Sequence, residues 1–450
     1  MSEKFNPYEE KIIYHTVGNG KTLKVGIISD SQIIPSDKEQ DKFLKIFSFH
    51  LKNTLEILKS QKIEVLIFAG DLTDSGTEYA YNELKEIFKE VYKTEEEKPI
   101  FNFIMGNHDY WLSYMENGKF SPKSGDIEQM QLLFYNNLKE KPFSHKVING
   151  YHFINWGCEN GSMDDPNQNL EWAETQIKLA LEDNKNKPIF VTTHFNAEDT
   201  VYGSVDFSAK SLRNLFNKYQ NIIHFSGHSH YSLIDERSIW QKEFTSIQTQ
   251  SISYTELEPG FTHGIYPCDE YGDIQIAGKN YMGLIMDITE NKCEIQRISF
   301  ETGKFYEKPW IIDIPINKNN FRYTFDKRIK ERNPPVFKFE KEKDKEIIFE
   351  KDEKIKEGYA IKFIAAFQDN FVQKYRIELK NIQNNQIENL FYASDFYLMP
   401  EDRKKILRYK FNSNKLNKGE YVIRIYAIES FGKESANYVE GKLTYLGKIK

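Results

Sequence analysis

The sequence is poor in cysteine and in long apolar runs, and each shortage excludes a class of protein. Its 450 residues include three cysteines, Cys158, Cys268 and Cys293, which are too widely spaced for a disulfide framework. No segment approaches the roughly 18 consecutive apolar residues that a membrane-spanning helix needs. The N-terminal residues are charged and lack the apolar stretch of a secretory signal. We therefore expect a cytoplasmic protein with reduced cysteines and no membrane segment. A secreted protein from which the leader has been removed would show the same features.

An excess of positive charge is also missing. Lys and Arg total 61 and Asp and Glu total 67, so the net charge is −6. This balance argues against a protein that wraps nucleic acid, because nonspecific binding of that kind needs a basic surface. A small phosphate ester needs only a local positive site, which bound metal ions can supply. With 39% hydrophobic residues, the chain has the composition of a globular protein.

The first half alternates short β-branched runs with amphipathic stretches at helical spacing, which predicts an α/β fold with crossover connections. The predicted strands are 24–29, 65–68, 100–105, 189–191 and 222–225, and the predicted helices are 41–60, 78–92, 170–182 and 212–219. Strands without helices follow at 244–252, 282–287 and 293–300. We expect these later strands to supply the second sheet of a sandwich.

The C-terminal region has a different pattern. Residues 326–357 are dense in Lys and Glu and include Pro334-Pro335, which indicates a linker. Strand-like segments separated by polar turns follow at 359–367, 372–379 and 420–428, and they predict an all-β sandwich. We therefore divide the chain into an α/β domain at 1–320, a linker at 321–335 and a β-sandwich accessory domain at 336–450.

Polar motifs follow five of the predicted strands. In chain order they are Asp30-Ser31-Gln32, Gly70-Asp71-Leu72-Thr73-Asp74, Gly106-Asn107-His108-Asp109, His194 and Gly227-His228-Ser229-His230. Ligands of open α/β sheets bind at the carboxyl ends of the strands, so we expect these side chains to share one cleft. The adjacent glycines allow the sharp turns that such a cleft needs.

The residue types in these motifs suit the hydrolysis of a phosphate ester. That reaction needs a hydroxide at neutral pH and neutralisation of the charge on the phosphoryl oxygens. Two cations roughly 3.5–4 Å apart do both, since they lower the pKa of a bridging water and clamp the phosphate. Carboxylate, amide and imidazole ligands together suit Mn, Fe or Zn. The motifs therefore predict a phosphoesterase with two divalent metal ions.

The ordered motifs resemble those of the calcineurin-like metallophosphoesterase superfamily, and most of all its class III cyclic-nucleotide phosphodiesterase-type branch. The resemblance covers roughly residues 22–310, and the C-terminal region is assigned only loosely, as fibronectin-like. It implies a four-layer α/β/β/α sandwich for the first domain. It also implies that the substrate is a small phosphate ester, with cyclic nucleotides as the leading candidates.

The resemblance assigns a role to each motif residue. The first metal ion would be held by Asp30, Asp71 and His230. Asp71 would bridge to the second ion, whose other ligands would be Asn107, His194 and His228. Asn107 and His108 would contact the substrate, with His108 either binding the phosphate or protonating the leaving oxygen and Asp109 orienting its ring.

Gln32 departs from the family pattern, whose first motif is Asp-x-His. Glutamine coordinates weakly through its neutral carbonyl oxygen, so as a ligand Gln32 would weaken the first site and favour Mn or Mg over Zn. Alternatively, Gln32 hydrogen-bonds a metal-bound water. Asp74 stands where purple acid phosphatases have an iron-binding tyrosine, which argues against that branch. Asp74 would either contact a neighbouring site residue or cap the following helix.

These motifs predict in-line attack of a metal-bridging hydroxide on a small phosphodiester or phosphomonoester, with the diester favoured and Mn as the favoured ion. One alternative is a non-catalytic phosphoesterase-fold binding module that acts through the C-terminal β-sandwich, and Gln32 is the feature that favours it. A second alternative is a nuclease of the same fold, against which the acidic charge argues. The sequence identifies no protein partner.

Overall fold

The computed structural model describes residues 5–18, 20–34, 42–116, 119–158, 169–205, 208–257, 274–277, 280–352, 358–411 and 416–445. The α-helices in these ranges are α1 (Lys42–Ser60), α2 (Glu78–Val91), α3 (Ile127–Leu138), α4 (Leu170–Asp183), α5 (Lys210–Phe216) and α6 (Phe325–Glu331). None of the helices in the described part of the chain has the length and apolar character needed to cross a membrane. Cys158 and Cys293 are buried thiols, and Cys268 lies outside the described residues.

Most of the remaining regular structure is strand. The strands are β1 (Ile13–His15), β2 (Leu23–Ile28), β3 (Val65–Phe68), β4 (Ile100–Phe103), β5 (Trp111–Glu116), β6 (Lys119–Ser124), β7 (Phe143–Ile148), β8 (Tyr151–Trp156), β9 (Ile189–Thr192), β10 (Asn196–Ala197), β11 (Ser208–Ala209), β12 (Ile222–Ser226), β13 (Ile239–Gln241), β14 (Thr245–Gln248), β15 (Tyr254–Leu257), β16 (Ile274–Ala277), β17 (Met282–Ile288), β18 (Lys292–Ser299), β19 (Phe305–Asp313), β20 (Ile348–Asp352), β21 (Gly358–Ile364), β22 (Lys374–Asn381), β23 (Ile387–Ala393), β24 (Ile406–Phe411), β25 (Gly419–Ile428) and β26 (Val439–Tyr445).

Two mixed sheets form the α/β part. The first sheet has the strand order β19-β18-β17-β2-β3-β4, and the second has the order β1-β7-β8-β9-β12-β14-β13. In the first sheet β2, β3 and β4 are parallel neighbours, and their last residues, Ile28, Phe68 and Phe103, are paired across the strands. In the second sheet β9 and β12 are parallel neighbours. The strands that precede the polar motifs therefore end level with one another within each sheet.

Helices cover one face of each sheet. Leu51 and Leu55 of α1 and Leu84 of α2 share a buried core with Leu66 and Phe68 of β3. On the second sheet, α4 and α5 share a separate core with β8, β9 and β12. The sheets also touch each other, since Asn155 Nδ2 of β8 donates to Asn102 Oδ1 of β4 over 2.9 Å. This is an α/β fold in four layers with the two sheets inside.

The origin of the second sheet differs from the prediction. The late strands β17, β18 and β19 extend the first sheet from β2. Of the later predicted strands, only the one at 244–252 contributes to the second sheet, through β14. The second sheet is built on β7 and β8, a hairpin that the sequence pattern did not reveal. Its residues are buried throughout, so the hairpin lacks the alternation of polar and apolar residues that identifies a half-exposed strand.

By compactness the chain divides into two units, one of Met1–Thr255 and Ile276–Phe325 and the other of Glu256–Gln275 and Asp326–Lys450. The segment predicted as a linker, 321–335, contains both this change of unit and the short helix α6. The domain bounds 1–320 and 336–450 remain a prediction.

The second unit contains two antiparallel sheets, with strand orders β20-β21-β24 and β23-β22-β25-β26. Ile361 and Tyr409 of the smaller sheet share one buried core with Ile377 and Ile425 of the larger sheet. The C-terminal region is therefore built of strands, whereas its resemblance to fibronectin-like domains remains a prediction.

A buried ion pair anchors the segment that follows the Gly227–His230 motif. Arg297 of β18 is 2% exposed and donates through Nη1 to Glu236 Oε1 over 2.7 Å and to Leu233 O over 3.3 Å. Its guanidinium lies 4.7 and 4.5 Å from the centroids of two aromatic rings of β19. Arg297 thus ties the chain just after His230 to the first sheet.

We predict that Arg297→Met lowers the free energy of unfolding by about 3–5 kcal/mol, because it leaves the Glu236 carboxylate buried without its cation. Arg322, which pairs with Asp313 at the surface, offers the matched control. Arg322→Met should cost less than about 1 kcal/mol, as is usual for exposed pairs. Urea unfolding followed by circular dichroism measures both changes. Equal losses in the two variants would contradict the anchoring role of Arg297.

Candidate metal centre

Three motif residues emerge side by side from the first sheet. Asp30, Asp71 and Asn107 lie two, three and four residues beyond the ends of β2, β3 and β4, and all three are buried. The loops stay in register, since the backbone N–H of Gln32 donates to Asp71 O over 3.1 Å. The backbone N–H of His108 donates to Asp71 Oδ1 over 2.9 Å. The first three motifs therefore meet at one edge of this sheet.

The second sheet contributes three histidines to the same place. His194 lies two residues beyond β9, and His228 and His230 lie two and four residues beyond β12. The backbone N–H of His228 donates to Asp30 Oδ2 over 3.0 Å, which joins the loops of the two sheets. All the residues predicted to hold metal are thus brought together from elements far apart in the chain.

Three possible ligand atoms surround the Nε2 end of the His194 ring. Nε2 lies 3.2 Å from Asp71 Oδ2, 3.1 Å from Asn107 Oδ1 and 3.2 Å from His228 Nδ1. The ligand atoms of Asp71, His194 and His228 all lie within 4.8 Å of one another. On the far side of the ring, Nδ1–H donates to Ala69 O over 2.8 Å, so Nε2 is the nitrogen left to bind a metal ion.

These separations suit a metal ion. Ligands about 2.0–2.2 Å from a shared ion, in tetrahedral or octahedral geometry, lie about 3–3.5 Å from one another. The donor set of one carboxylate, one amide oxygen and two imidazoles is also one that Mn, Fe or Zn accepts. The residues predicted for the second ion, Asp71, Asn107, His194 and His228, therefore fit a divalent cation.

The residues predicted for the first ion also lie close together. Asp30 Oδ1 is 3.2 Å from His230 Nε2 and 4.0 Å from His194 Nε2. Asp30 is fully buried, and among the described residues no donor forms a hydrogen bond to its Oδ1. A buried carboxylate oxygen in this position fits a cation between Asp30 and His230.

The backbone of the site is strained. Asp30, Gln32, Asp71, His228 and His230 have φ values of 55°, 44°, 51°, 73° and 54°, in the left-handed region that residues other than glycine rarely adopt. Each such residue costs on the order of 1–3 kcal/mol, so this conformation persists only where its surroundings impose it. Five strained residues in one cluster indicate a site shaped for function rather than for stability.

Two motif glycines allow the side chains to approach the backbone. Gly70 has φ +90°, and a Cβ there would also collide with the His194 ring. At Gly106, a Cβ would collide with the carboxylate and backbone of Asp71. Glycine is required at both positions because candidate ligands occupy the space of a side chain.

The His108 ring is held by Asp74 on one side. Its Nδ1–H donates to Asp74 O over 3.1 Å and lies 3.6 Å from Asp74 Oδ1. On the other side, Nε2 is 3.7 Å from Asp71 Oδ2, so the ring lies at the border of the candidate metal centre. Of the two predicted roles of Asp74, the helix cap is wrong, because Thr77 caps α2 through its side chain.

The predicted orienting role of Asp109 needs a correction. Its Oδ1 accepts from the backbone N–H and the hydroxyl of Thr73 over 3.0 and 2.8 Å, and its Oδ2 accepts from Leu72 N and Gly106 N over 3.3 and 3.0 Å. Asp109 therefore braces the loops that carry Asp71 and Asn107, while the contact at Nδ1 of His108 comes from Asp74.

Electrostatic interactions within the site shift the pKa values of its carboxylates and imidazoles. Burial raises the pKa of Asp71, but the His194 and His108 rings outweigh it and hold the pKa well below its usual range. Burial lowers the pKa of His194 and of His108, yet facing carboxylates, above all Asp71, raise each pKa to about 9. Burial and the adjacent His194 ring hold the pKa of His228 far below its usual value. Protonated imidazoles therefore balance the buried carboxylates when no cation is bound.

Ser253 is a site residue that the sequence did not reveal. Its hydroxyl donates to Gln32 Oε1 over 3.3 Å, and Gln32 Nε2 lies 3.3 Å from His108 Nε2. Ser253 belongs to the run Thr245–Thr255, where Thr, Ser and Gln residues are almost fully buried. The high density of small polar residues after β14 is the only sequence signal for this role, since the run lacks a recognisable motif.

The comparison with protein families agrees with this geometry. Residues 23–232 match the family model of the calcineurin-like phosphoesterases. Residues 23–232 are a calcineurin-like phosphoesterase domain. This family depends on two metal ions, and Asp71, His194 and His228 form a cluster that could hold a metal ion. A comparison with curated proteins finds no match.

Solved structures similar to the calcineurin-like phosphoesterase domain include phosphatases. A dimetal phosphatase from Danio rerio has a TM-score of 0.43 and 9% identity, with 65% of this chain and 99% of that chain covered. Purple acid phosphatase PPD1 from yellow lupin seeds has a TM-score of 0.41 and 11% identity, with coverage of 65% and 54%. GAP50 of Plasmodium, the anchor in the inner membrane complex, has a TM-score of 0.39 and 13% identity, with coverage of 67% and 92%. Identities this low carry no information about activity.

We predict that Asp109→Asn destabilises the domain by about 1–3 kcal/mol and weakens metal binding. The new amide NH2 would face backbone N–H donors, so buried hydrogen bonds would be lost. Asp126→Asn is the matched control, because Asp126 caps α3 and Asn caps a helix about equally well. Urea unfolding and calorimetric Mn titration measure the two effects. A stable Asp109→Asn protein with unchanged metal affinity would contradict the bracing role.

Proposed function

We propose that this domain hydrolyses a phosphate ester with the help of two divalent metal ions. The observation that supports the proposal is the group of Asp71, Asn107, His194 and His228, whose ligand atoms surround one point at the edge of both sheets. Two bound cations would supply a hydroxide at neutral pH and neutralise the charge that develops on the phosphoryl oxygens. The protein's part is to hold the ligands, the substrate and a proton donor in fixed positions.

The ligands divide between two ions as the motifs predict. Asp30 and His230 would hold the first ion, Asn107, His194 and His228 the second, and Asp71 would bridge the two. Asp71 is suited to the bridge because its Oδ2 lies 3.2 Å from His194 Nε2, and the same nitrogen is 4.0 Å from Asp30 Oδ1. The strained backbone of the loops supports this assignment, since left-handed residues of this kind cluster at functional sites.

His108 would act on the substrate. Its Nε2 lies 3.7 Å from Asp71 Oδ2, at the border of the centre, and Asp74 holds the opposite nitrogen. From this position a protonated Nε2 could hydrogen-bond a phosphoryl oxygen or give its proton to the leaving oxygen. Asn107, next to it in the chain, would share the contact with the phosphate while its Oδ1 serves the metal ion.

Among phosphate esters, we favour a small diester over a monoester. The Trp111 ring, whose centroid is 4.3 Å from that of His108, offers an apolar surface to a second ester group. Cyclic nucleotides are the leading candidates, on the strength of the family resemblance alone.

The proposal also names the metal and weighs the alternatives. Mn is favoured because Gln32 replaces an imidazole and leaves the first site rich in oxygen ligands, with Fe and Zn as the other candidates. A binding module that acts through the C-terminal strands would not need Asn107 and His108, both of which are present and buried in the site. A nuclease would need a basic surface, whereas the net charge is −6.

We predict that stripping the metal abolishes hydrolysis and that Mn restores it better than Zn or Mg. The test compares bis-p-nitrophenyl phosphate with p-nitrophenyl phosphate, and the diester should be cleaved faster. Asn107→Ala should lose about 100-fold or more of the activity, because it removes a ligand and a substrate contact at once. Asn137→Ala on α3 is the control and should keep full activity.

Two results would contradict the proposal. Full activity of Asn107→Ala would remove the metal centre from the reaction. A protein that binds no Mn and cleaves neither ester would favour the binding module.

A further inference from the structure

Gln32 lies between two protein groups rather than toward open space. Its amide Nε2 is 3.3 Å from His108 Nε2, and its Oε1 accepts from the Ser253 hydroxyl over 3.3 Å. The residue is 2% exposed, and its backbone is held in the left-handed region at φ 44°. Both ends of the side-chain amide are therefore occupied by hydrogen-bond partners.

The hydrogen bonds form one chain from Asp74 to Ser253. Asp74 O can only accept, so His108 Nδ1 carries the hydrogen of that contact. A carboxamide has a donor end and an acceptor end, so Gln32 can pair with His108 Nε2 whether or not that nitrogen carries a hydrogen. The Ser253 hydroxyl both donates and accepts, so it can pair with the end of the amide that faces away from the ring. The Gln32 amide therefore bridges His108 and Ser253 in either protonation state of the ring.

Ser253 in turn is fixed to the loop of Asp30. Its hydroxyl lies 2.8 Å from the Ser251 hydroxyl, which donates to Asp30 O over 2.9 Å. The backbone N–H of Ser253 also donates to Asp30 O, over 3.2 Å. The end of the Gln32 amide that faces away from His108 is therefore bonded to a buried serine that is itself held in place. A side chain fixed in this way can hold another side chain in a defined orientation.

We propose that Gln32 is a positioning residue for His108 and not a ligand of the first metal ion. Before substrate binds, Asp74 and Gln32 hold the His108 ring at its two nitrogens, which fixes the orientation in which Nε2 meets the substrate. The first ion is left to Asp30, Asp71 and His230. This inference rests on the proposed hydrolytic function, but it makes a separate claim about where the Gln32 amide acts.

The test compares Gln32→Met with the wild-type full-length protein. Methionine keeps a similar volume and removes both ends of the amide. We expect Gln32→Met to bind two Mn ions with dissociation constants within about twofold of wild type, because no ligand is lost. We expect kcat for bis-p-nitrophenyl phosphate to fall about 3- to 30-fold with KM nearly unchanged, which is the loss expected for one or two positioning hydrogen bonds.

A double-mutant cycle shows whether the effect passes through His108. In a His108→Ala background, adding Gln32→Met should cause no further loss of kcat, since the ring to be positioned is gone. Gln241→Met is the matched control, because Gln241 is also buried but its amide bonds to Thr245 and to the backbone of Arg322 and Tyr323. Gln241→Met should keep the wild-type kcat and both ions.

The metal titration separates this inference from the proposed function. Loss of one Mn ion from Gln32→Met, or a tenfold weaker site, would show that Gln32 is a ligand and overturn the inference while hydrolysis stands. An additive loss of kcat in the His108→Ala background would overturn it as well. If the wild type binds two ions and cleaves no ester, the proposed function fails, and unchanged ion binding in Gln32→Met still excludes the ligand role.

Discussion

A carboxylate buried in a protein needs positive charge or hydrogen-bond donors around it, and the arrangement around Asp71 follows from this constraint. One Asp71 oxygen accepts the backbone N–H of His108, and the other faces His194 Nε2 at 3.2 Å. Without a cation, protonated imidazoles balance the charge, which is why the pKa values of His194 and His108 rise to about 9. Divalent ions would take the place of those protons, so metal binding and proton release are linked.

The loops around Asp71 are costly to hold in place, and the surrounding structure offsets that cost. Left-handed residues at Asp30, Asp71 and His230 would relax if their neighbours allowed it. Asp109 opposes this relaxation through hydrogen bonds to the loops that carry Asp71 and Asn107. The Arg297–Glu236 ion pair fixes the segment that follows His230. Hydrogen bonds and an ion pair outside the metal centre thus stabilise the strained backbone that positions the candidate ligands.

Strand ends and motif residues could be predicted from the sequence, because β-branched runs followed by Gly and Asp leave a clear local signal. The strand at 65–68 and the approach of the Asp, Asn and His motifs follow from that signal. The role of Asp109 could not be predicted from the sequence, because residues 108–110 form a 3-10 turn in which consecutive side chains point about 120° apart. Neighbours in sequence therefore face different partners. The hairpin of β7 and β8 was missed because burial on both faces removes the alternation that marks a strand.

The most direct test of the account is the anomalous scattering of crystals grown with Mn. We predict two Mn peaks at the carboxyl edge of the two sheets. One should lie about 2.0–2.3 Å from Asp71 Oδ2, Asn107 Oδ1, His194 Nε2 and His228 Nδ1, and the other beside Asp30 and His230. A protein that binds Mn elsewhere, or shows no peak at Asp71, would contradict the claim that this carboxylate organises a dinuclear metal centre.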